Sequence, residues 1–263
     1  MNKKHANPEE FTTLELMAVC GSRQIGNNEV VFIGTGLPLI AAMLAKKTHA
    51  PRAKIVYEAG FIDSNAKDIA FSIADSRLGY RASAAIGLIE TLGVMLQGGH
   101  VDLGFVGAAQ IDEYGNINTT YIGNFEKPSV RLPGSGGGND IISSAKRIVA
   151  IMTHEKRKMV KKLDYLTSPG FLDGAGARER AGLRGGGPSL VVTNLCQMDF
   201  DPETKHIRLA TIHPGVTVEQ VLENSGFDLI VPKDVPTTEL PTCEELALLR
   251  TVDPDGIYIP RPK

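Results

Sequence analysis

Apolar residues follow two patterns along the chain. Short, mainly apolar runs are typical of strands that are buried on both faces of a sheet. These runs are Val30–Ile33, Lys54–Tyr57, His100–Val106 and Arg147–Met152. Elsewhere the pattern is helical, in Thr12–Arg23, Leu37–Lys47, Ala82–Leu96, Thr217–Asn224 and Thr242–Arg250. The alternation of strands and helices predicts an α/β fold.

The C-terminal third adds a β-hairpin to this pattern. Leu190–Phe200 and His206–Ile212 are two β runs, and the segment Asp201–Lys205 that joins them is rich in turn-forming residues. Phe227–Val231 predicts one more strand. The basic segment His154–Lys162 predicts a solvated helix face.

Length and composition favour one domain with a sizeable core. The chain has 263 residues, 42% of them hydrophobic, and no repeat or linker divides it, so residues 1–263 are expected to form a single domain. A net charge of -2 and the absence of tryptophan do not indicate a surface that binds nucleic acid. The segment Met1–Glu10 lacks the apolar core of a signal peptide, and no apolar stretch is long enough to span a membrane. We therefore expect a cytoplasmic protein without a membrane partner.

Cysteines and histidines give no sign of a metal site or a disulfide framework. The three cysteines lie far apart in the sequence, without the spacing of a zinc ribbon. The six histidines form no H-E-x-x-H or H-x-H pair, and no G-x-S-x-G motif is present. We expect no metal, and the candidate chemistry is left to a carboxylate and to glycines.

Glu58 is the candidate nucleophile because it stands where an apolar strand gives way to glycine. Ala59 and Gly60 let the chain turn sharply after Lys54–Tyr57, which places Glu58 at the carboxyl edge of the sheet, where ligands bind in open α/β folds. A glutamate carboxylate is ionised at neutral pH and attacks an activated acyl carbon without a partner base. The alternative is a solvated acid at a strand end. The next segment, Phe61–Arg81, is expected to cross this edge as a long excursion.

Three consecutive glycines precede a predicted short helix at Ile141–Ala145. They are Gly136, Gly137 and Gly138. Consecutive glycines cost conformational entropy, so they indicate a backbone that must come close to something. They let successive N–H groups point at one place, which is the geometry of an oxyanion hole. We expect Asn139 or Asp140 to cap the helix and order the turn, and the alternative is a floppy surface loop.

Four weaker candidates each belong to a turn. Gly34 and Gly36 follow a strand and open the next helix, so backbone N–H groups there face any anion above the sheet. The sequence matches neither the dinucleotide fingerprint nor the P-loop. Gly60 permits the turn after the candidate nucleophile. Asn116 closes the segment Glu113–Asn116, which a β-hairpin turn explains without any further role.

Several short motifs occur in a fixed order along the chain. Tyr57-Glu58-Ala59-Gly60 is similar to the E-x-G motif of the family I CoA-transferases, and Gly136-Gly137-Gly138-Asn139-Asp140 resembles their G-G-A-x-D turn, with glycine at 138 where alanine is usual. Further segments resemble the β subunit of the glutaconate CoA-transferase type. They are Gly34–Pro38, Ala109–Asp112, Tyr114–Asn118, Gly134–Gly137, His154–Arg157, Thr167–Gly170, Asp173–Gly174 and Leu222–Asp228. The resemblance covers nearly the whole chain.

The resemblance implies an open, mostly parallel α/β sheet with flanking helices, a catalytic glutamate at Glu58, and a separate α subunit. It implies transfer of CoA between an acyl-CoA and a small, glutaconate-like dicarboxylate by a ping-pong mechanism, through a glutamyl-CoA thioester on Glu58. Backbone N–H groups of Gly136–Gly138 would stabilise the oxyanion. Coenzyme A is then a substrate and a covalent intermediate, and no tightly bound cofactor is expected.

Relatives of the same fold leave alternatives open. Some members of the family act as acyl-CoA decarboxylases or as hydrolases that open a ring. The resemblance implies that these relatives lack a glutamate at the position of Glu58, or carry the working acid on the partner subunit. A third alternative is a non-catalytic partner that only completes a site on the α subunit. Glu58 is present in this chain. Its presence favours the transferase.

Overall fold

The described part of the chain, residues 4–64 and 69–261 of a computed structural model, contains thirteen strands. In chain order they are β1 (Val30–Ile33), β2 (Lys54–Tyr57), β3 (Phe61–Ile62), β4 (Ala84–Ala85), β5 (Leu103–Val106), β6 (Gln110–Ile111), β7 (Ile117–Asn118), β8 (Tyr121–Gly123), β9 (Pro128–Arg131), β10 (Arg147–Ile151), β11 (Pro188–Val192), β12 (Cys196–Phe200) and β13 (Ile207–Ile212). Nine of them form one sheet in the order β13-β12-β11-β10-β5-β1-β2-β3-β4. The five strands from β11 to β2 pair in parallel, and antiparallel strands extend both edges. The predicted α/β sheet, with its C-terminal hairpin, is confirmed.

Parts of two predicted segments lie outside the described residues. Residues 1–3 belong to the N-terminal segment Met1–Glu10, and residues 65–68 belong to the excursion Phe61–Arg81. Residues 262–263 also lie outside them. The described part of the excursion contains β3 and a 3-10 turn at Ser76–Gly79.

Helices cover both faces of the sheet. They are α1 (Thr13–Ser22), α2 (Leu37–Lys47), a π-helix (Ile89–Gln97), α3 (Gly138–Ser144), α4 (Ala177–Arg180), α5 (Val218–Glu223) and α6 (Cys243–Val252). Leu16 of α1 and Ile40 of α2 belong to the core on one face, and Ile141 of α3 and Val221 of α5 belong to the core on the other. Because both faces are covered, the central strands are apolar throughout rather than alternating.

Three helices begin with a threonine cap, at the positions where the sequence predicts that these helices begin. The Thr12 hydroxyl accepts the N–H of Glu15, and the Glu15 carboxylate accepts the N–H of Thr12. Thr217 and Thr242 form the same reciprocal pair at the starts of α5 and α6. Each pair satisfies two backbone donors that a helix end leaves without a partner.

The segment Ala82–Leu96, predicted as one helix, differs from this prediction. It contains β4, and the helix that follows begins only at Ile89 and is of the π type. β4 pairs with β3 at the edge of the sheet, and the N–H of Ile86 donates to the carbonyl of Gly60 at 3.0 Å. This pairing is a tertiary contact, which local apolar content does not specify.

The predicted β run Leu190–Phe200 is broken by a tight turn into β11 and β12. The hydroxyl of Thr193 accepts the N–H groups of Leu195 at 3.2 Å and Cys196 at 3.1 Å. A side-chain acceptor of this kind competes with the strand ladder and turns the chain. The prediction of a single strand here is wrong for that reason.

Two further predicted elements are also wrong. Phe227–Val231 forms no strand and contributes a bridge between Ile230 and Arg208. His154–Lys162 forms turns and bridges instead of a helix, because its backbone pairs with Ile111: the N–H of Ile111 donates to Lys158 and its carbonyl accepts from Val160. Backbone partners from elsewhere in the fold replace the helical hydrogen bonds.

The long loop before β11 is ordered around the buried side chain of Arg178. Its guanidinium donates to the carbonyl oxygens of Pro169 at 2.9 Å, Gly170 at 2.7 Å, Ile142 at 3.0 Å and Gly185 at 2.9 Å. Burial lowers the pKa of Arg178 from its ordinary value. One side chain thus fixes the loop to the end of α3.

Candidate active site

A cavity of about 590 Å³ opens at the carboxyl ends of three adjacent strands, β5, β1 and β2. Ile33 and Gly34 line it at the end of β1, Val106 and Gly107 at the end of β5, and Glu58 directly after β2. The carboxyl edge of an open α/β sheet is the expected position for a ligand. Apolar walls with a few polar groups are typical of small-molecule sites.

Glu58 meets the glycine turn inside this cavity. The N–H of Gly137 donates to Oε1 of Glu58 at 3.1 Å, across 79 positions of sequence. A Cβ on Gly137 would lie 3.0 Å from the carboxyl carbon of Glu58, closer than ordinary van der Waals contact. The φ of Gly137, -78°, is open to any L-residue. The approach of Glu58, rather than backbone strain, therefore requires glycine at this position.

Thr119 and Ser135 fix the glycine turn. The carbonyl of Thr119 accepts the N–H of Gly134, and the hydroxyl of Thr119 donates to the carbonyl of Gly134, both at 2.8 Å. Further along the turn, the carbonyl of Ser135 accepts the N–H of Gly138 at 2.8 Å. The N–H of Gly138 is thereby engaged within the turn.

The predicted cap at Asn139 or Asp140 is wrong. α3 begins at Gly138, with Gly137 in the cap position. The side-chain amide of Asn139 donates instead to the carbonyl of Thr167 at 2.8 Å, which ties the helix to a neighbouring segment. The turn is ordered, as expected, but by contacts distant in sequence.

The remaining two glycines of the triplet have different surroundings. Gly136 has a φ of 48°, in the left-handed region, and a Cβ there would lie 3.7 Å from Oε1 of Glu58. A Cβ on Gly138 would lie 3.7 Å from the hydroxyl oxygen of Ser168, an ordinary contact. Both Gly138 and Ser168 line the cavity. The triplet thus contacts Glu58 through its first two glycines and Ser168 through its third.

Of the weaker candidates, Gly34 alone lines the cavity. Within the described residues, a Cβ on Gly34 would have no heavy atom within 4 Å. Gly36 stands at the cap of α2 with a φ of 82°. Gly60 has a φ of 98°, and a Cβ there would lie 1.9 Å from the carbonyl oxygen of Ile86. Gly60 is required by packing of the sheet edge.

Asn116 is occupied by structural hydrogen bonds. Its amide nitrogen donates to the carboxylate of Asp112 at 2.8 Å and to the carbonyl of Leu172 at 2.9 Å. Its amide oxygen accepts the N–H groups of Gly170 at 2.8 Å and Leu172 at 3.0 Å. The side chain is buried and does not line the cavity. It holds the hairpin of β6 and β7 to the long loop.

Asp63, the second carboxylate near Glu58 in sequence, is held by two lysines. Its side chain pairs with Lys46 and, at 3.0 Å, with Lys54. Burial opposes ionisation of Asp63, but the hydrogen bonds from both lysines outweigh it and lower the pKa of Asp63 below its ordinary value. Asp63 does not line the cavity. Glu58 is therefore the carboxylate of this segment that faces the site.

Thr119 and Ser168 are cavity residues that sequence reasoning did not single out. Both line the cavity, one beside the start of the glycine turn and the other opposite its end. Ser168 lies in the motif Thr167–Gly170, which resembles the family but carries no local chemical sign of a site. In the sequence, only the resemblance of this motif to the family could have identified Ser168.

A second cluster of reactive side-chain types lies outside the cavity. The Cys196 sulfur lies 3.6 Å from Nδ1 of His154. Burial raises the pKa of the Cys196 thiol to about 12 and lowers the pKa of His154 to about 4. At neutral pH both groups are neutral, so the pair lacks the thiolate that nucleophilic chemistry needs.

The described residues, 4–64 and 69–261, lack the features of two broader classes of protein. They contain no helix that is long and apolar enough to cross a membrane. They contain no group of three or more histidine, cysteine, aspartate or glutamate side chains placed to hold a metal ion.

Known proteins resemble this chain over nearly its whole length. A family model described as coenzyme A transferase matches residues 14–224. The B-type subunit of 3-oxoadipate CoA-transferase from Pseudomonas knackmussii is 41% identical over 243 residues, which is 92% of this chain and 94% of that one. The B-type subunit of glutaconate CoA-transferase from Acidaminococcus fermentans is 41% identical over 263 residues, 98% of either chain.

A solved structure shows the same fold. The crystal structure of glutaconate coenzyme A-transferase from Acidaminococcus fermentans matches with a TM-score of 0.90 and 38% sequence identity, over 98% of this chain and 100% of the matched chain. The resemblance that the motifs predict is confirmed. This chain belongs to the coenzyme A transferase family.

Proposed function

We propose that this chain is the B-type subunit of a cytoplasmic CoA-transferase that moves CoA between an acyl-CoA and a short dicarboxylate. It folds as one domain over residues 1–263 and works with a separate α subunit. Glutaconate and 3-oxoadipate, named in two relatives of equal identity, are both short dicarboxylates, which supports this substrate class without choosing between them.

The carboxylate of Glu58 inside the cavity is the observation that carries the proposal. It stands at the carboxyl edge of the sheet, and a backbone N–H holds one of its oxygens at 3.1 Å. Fixing a carboxylate in one orientation before the substrate arrives saves the entropy of ordering it during the reaction.

Glu58 acts as a nucleophile in a ping-pong mechanism. Its carboxylate attacks the carbonyl carbon of the acyl-CoA, the C–S bond breaks, and CoA thiolate leaves a mixed anhydride. The thiolate then attacks the carboxyl carbon of Glu58, which releases the acyl group as a free carboxylate and forms a glutamyl-CoA thioester. The acceptor carboxylate repeats these two steps in reverse order. No proton needs to be removed from the nucleophile.

The N–H of Gly137 stabilises the oxygen of Glu58 in the middle steps. When thiolate or acceptor attacks the Glu58 carbon, negative charge develops on a Glu58 oxygen, and Gly137 already donates to Oε1. A fixed donor at such an oxygen typically contributes about 10²–10³-fold to the rate. The N–H of Gly138 donates to Ser135 and serves the shape of the turn.

The proposal is tested with Glu58→Gln in the complex with the α subunit. Glutamine keeps the oxygen that accepts from Gly137, so the turn should persist, but an amide is a poor nucleophile. Transfer from acetyl-CoA to glutaconate or 3-oxoadipate should fall by roughly 10³-fold or more. Glu223→Gln, an exposed glutamate outside the cavity, is the matched control and should retain wild-type transfer.

The covalent intermediate gives a second measurement. Wild-type complex incubated with acetyl-CoA and no acceptor should carry CoA on the tryptic peptide Ile55–Lys67, and fragment ions should place it on Glu58 rather than Asp63. Full transfer by Glu58→Gln, with the adduct on the α subunit, would support the non-catalytic alternative. Thioester cleavage that needs only water would support the hydrolase.

A further inference from the structure

Ser168 is a buried residue whose hydroxyl is open to the cavity and has no hydrogen-bond partner among the described residues. Ser168 is 2% exposed and lines the cavity. Its hydroxyl makes no hydrogen bond with any residue in 4–64 or 69–261, whereas the cavity hydroxyl of Thr119 donates to Gly134 and that of Ser135 accepts from Asn139. Every buried side-chain oxygen and nitrogen among the described residues has a hydrogen-bond partner, so the unpartnered Ser168 oxygen must be open to the cavity, where a ligand can accept its hydrogen bond.

Hydrogen bonds on both sides of Ser168 fix the position of its backbone. The N–H of Ser168 donates to the carbonyl of Ile117 at 3.0 Å, and its carbonyl accepts the N–H of Ile117 at 2.9 Å. The next two carbonyls, of Pro169 and Gly170, accept from the buried Arg178. Ser168 is therefore preorganised, as a group that stabilises developing charge must be.

Adjacent glycines of the turn face Glu58 and Ser168, and both side chains line the same cavity. Gly137 faces the Glu58 carboxyl carbon, and the next residue, Gly138, faces the Ser168 hydroxyl oxygen. The N–H of Gly137 is engaged by Glu58 and that of Gly138 by Ser135. Neither N–H is free for an oxygen of the substrate.

We propose that the Ser168 hydroxyl donates a hydrogen bond to the acyl oxygen of the substrate. This inference rests on the proposed function. Charge develops on two different oxygens during transfer: on the substrate when Glu58 attacks the acyl-CoA, and on Glu58 when thiolate attacks it in turn. Ser168 serves the first oxygen and Gly137 the second. No proton is transferred, and Ser168 forms no covalent bond.

Ser168→Ala in the complex with the α subunit tests this role. With acetyl-CoA as donor and glutaconate or 3-oxoadipate as acceptor, kcat/KM should fall about 10²–10³-fold, mainly through kcat. The rate at which CoA becomes attached to Glu58 in a single turnover should fall by the same factor, because the lost donor acts in the first step. Ser22→Ala is the matched control: Ser22 is 1% exposed, lies outside the cavity, and its removal should leave both rates unchanged.

A second variant of nearly the same size distinguishes loss of the hydrogen bond from loss of the fold. Ser168→Cys keeps a weak donor, so its rate should lie between wild type and Ser168→Ala, with unchanged thermal unfolding. Wild-type kcat in both variants, or a change in KM alone, would overturn the role of Ser168 while leaving Glu58 as nucleophile. The proposed function fails separately, if Glu58→Gln retains transfer.

Discussion

Gly137 couples Glu58, the proposed nucleophile, to the turn that holds it. Its N–H donates to Glu58, and the space where a side chain would begin is filled by the Glu58 carboxyl group. The sequence predicts the importance of the glycines from their entropic cost. It does not show which of them touches Glu58, because that contact exists only after β2 and α3 have packed onto one sheet.

Gly137→Ala should displace the Glu58 carboxylate. The new methyl carbon would stand 3.0 Å from the Glu58 carboxyl carbon, while the backbone accepts alanine without strain. A displacement of this kind should lower kcat by about 10²-fold with little change in the thermal unfolding temperature. Gly138→Ala places its methyl at an ordinary 3.7 Å from Ser168 and should lower kcat less. Equal kcat values for both variants would contradict this ranking.

At the scale of elements, the sequence predicts a strand well where the strand is buried on both faces of the sheet. It predicts strands poorly where their ends depend on contacts with residues distant in sequence. Val30–Ile33 and Lys54–Tyr57 form the predicted strands, because apolar side chains on both faces of a strand are favourable only in the buried centre of a sheet. The turn at Thr193 and the strand β4 depend on a side-chain acceptor and on an edge partner. The sequence does not identify Ser168 as a cavity residue for a related reason: its burial arises only when the loop around it has folded.

The β11–β12 turn packs against His154, whose burial makes stability depend on pH. Nε2 of His154 is 2.9 Å from the Ser225 hydroxyl, and burial lowers the pKa of His154 from 6.5 to about 4. Between these values the unfolded chain binds a proton that the folded chain does not. The free energy of unfolding should therefore rise with pH from about 4 to 6.5, by on the order of 3 kcal/mol from this residue.

Urea unfolding at several pH values measures this dependence. His154→Gln should flatten the slope of the free energy of unfolding against pH. A residual slope is expected from His213, whose pKa burial also lowers. An unchanged slope in His154→Gln would show that His154 takes up its proton equally in both states.

At the scale of the whole molecule, the π-helix presents an apolar face to solvent. Leu88 is 56% exposed, Ile89 80% and Val94 60%. The helix lies beside the site, since Gln97 donates to Asp140 of α3 and the carbonyl of Gly60 accepts from Ile86 just before the helix. Large apolar side chains exposed close together along one short segment are typical of a subunit contact.

Ile89→Asp should therefore weaken assembly with the α subunit. Because Ile89 makes little contact within this chain, the fold should be unaffected, whereas burying an unpaired charge at an interface should raise the dissociation constant at least about tenfold. Analytical ultracentrifugation of the mixed subunits measures this. Leu222→Asp, on α5, changes an exposed apolar residue elsewhere and is the control. Full affinity with Ile89→Asp would exclude this face from the interface.

The contacts of Arg178 bear on how the cavity can evolve. In the described structure its hydrogen bonds all go to main-chain carbonyl oxygens, which every residue type supplies. The side chain at 168 takes no part in these contacts and can thus be exchanged while the loop keeps its path. Lysine at 178 could not replace the guanidinium fork, which reaches carbonyls in several directions. Substitution at 168 can therefore alter the rate of transfer in a protein whose loop still follows the same path.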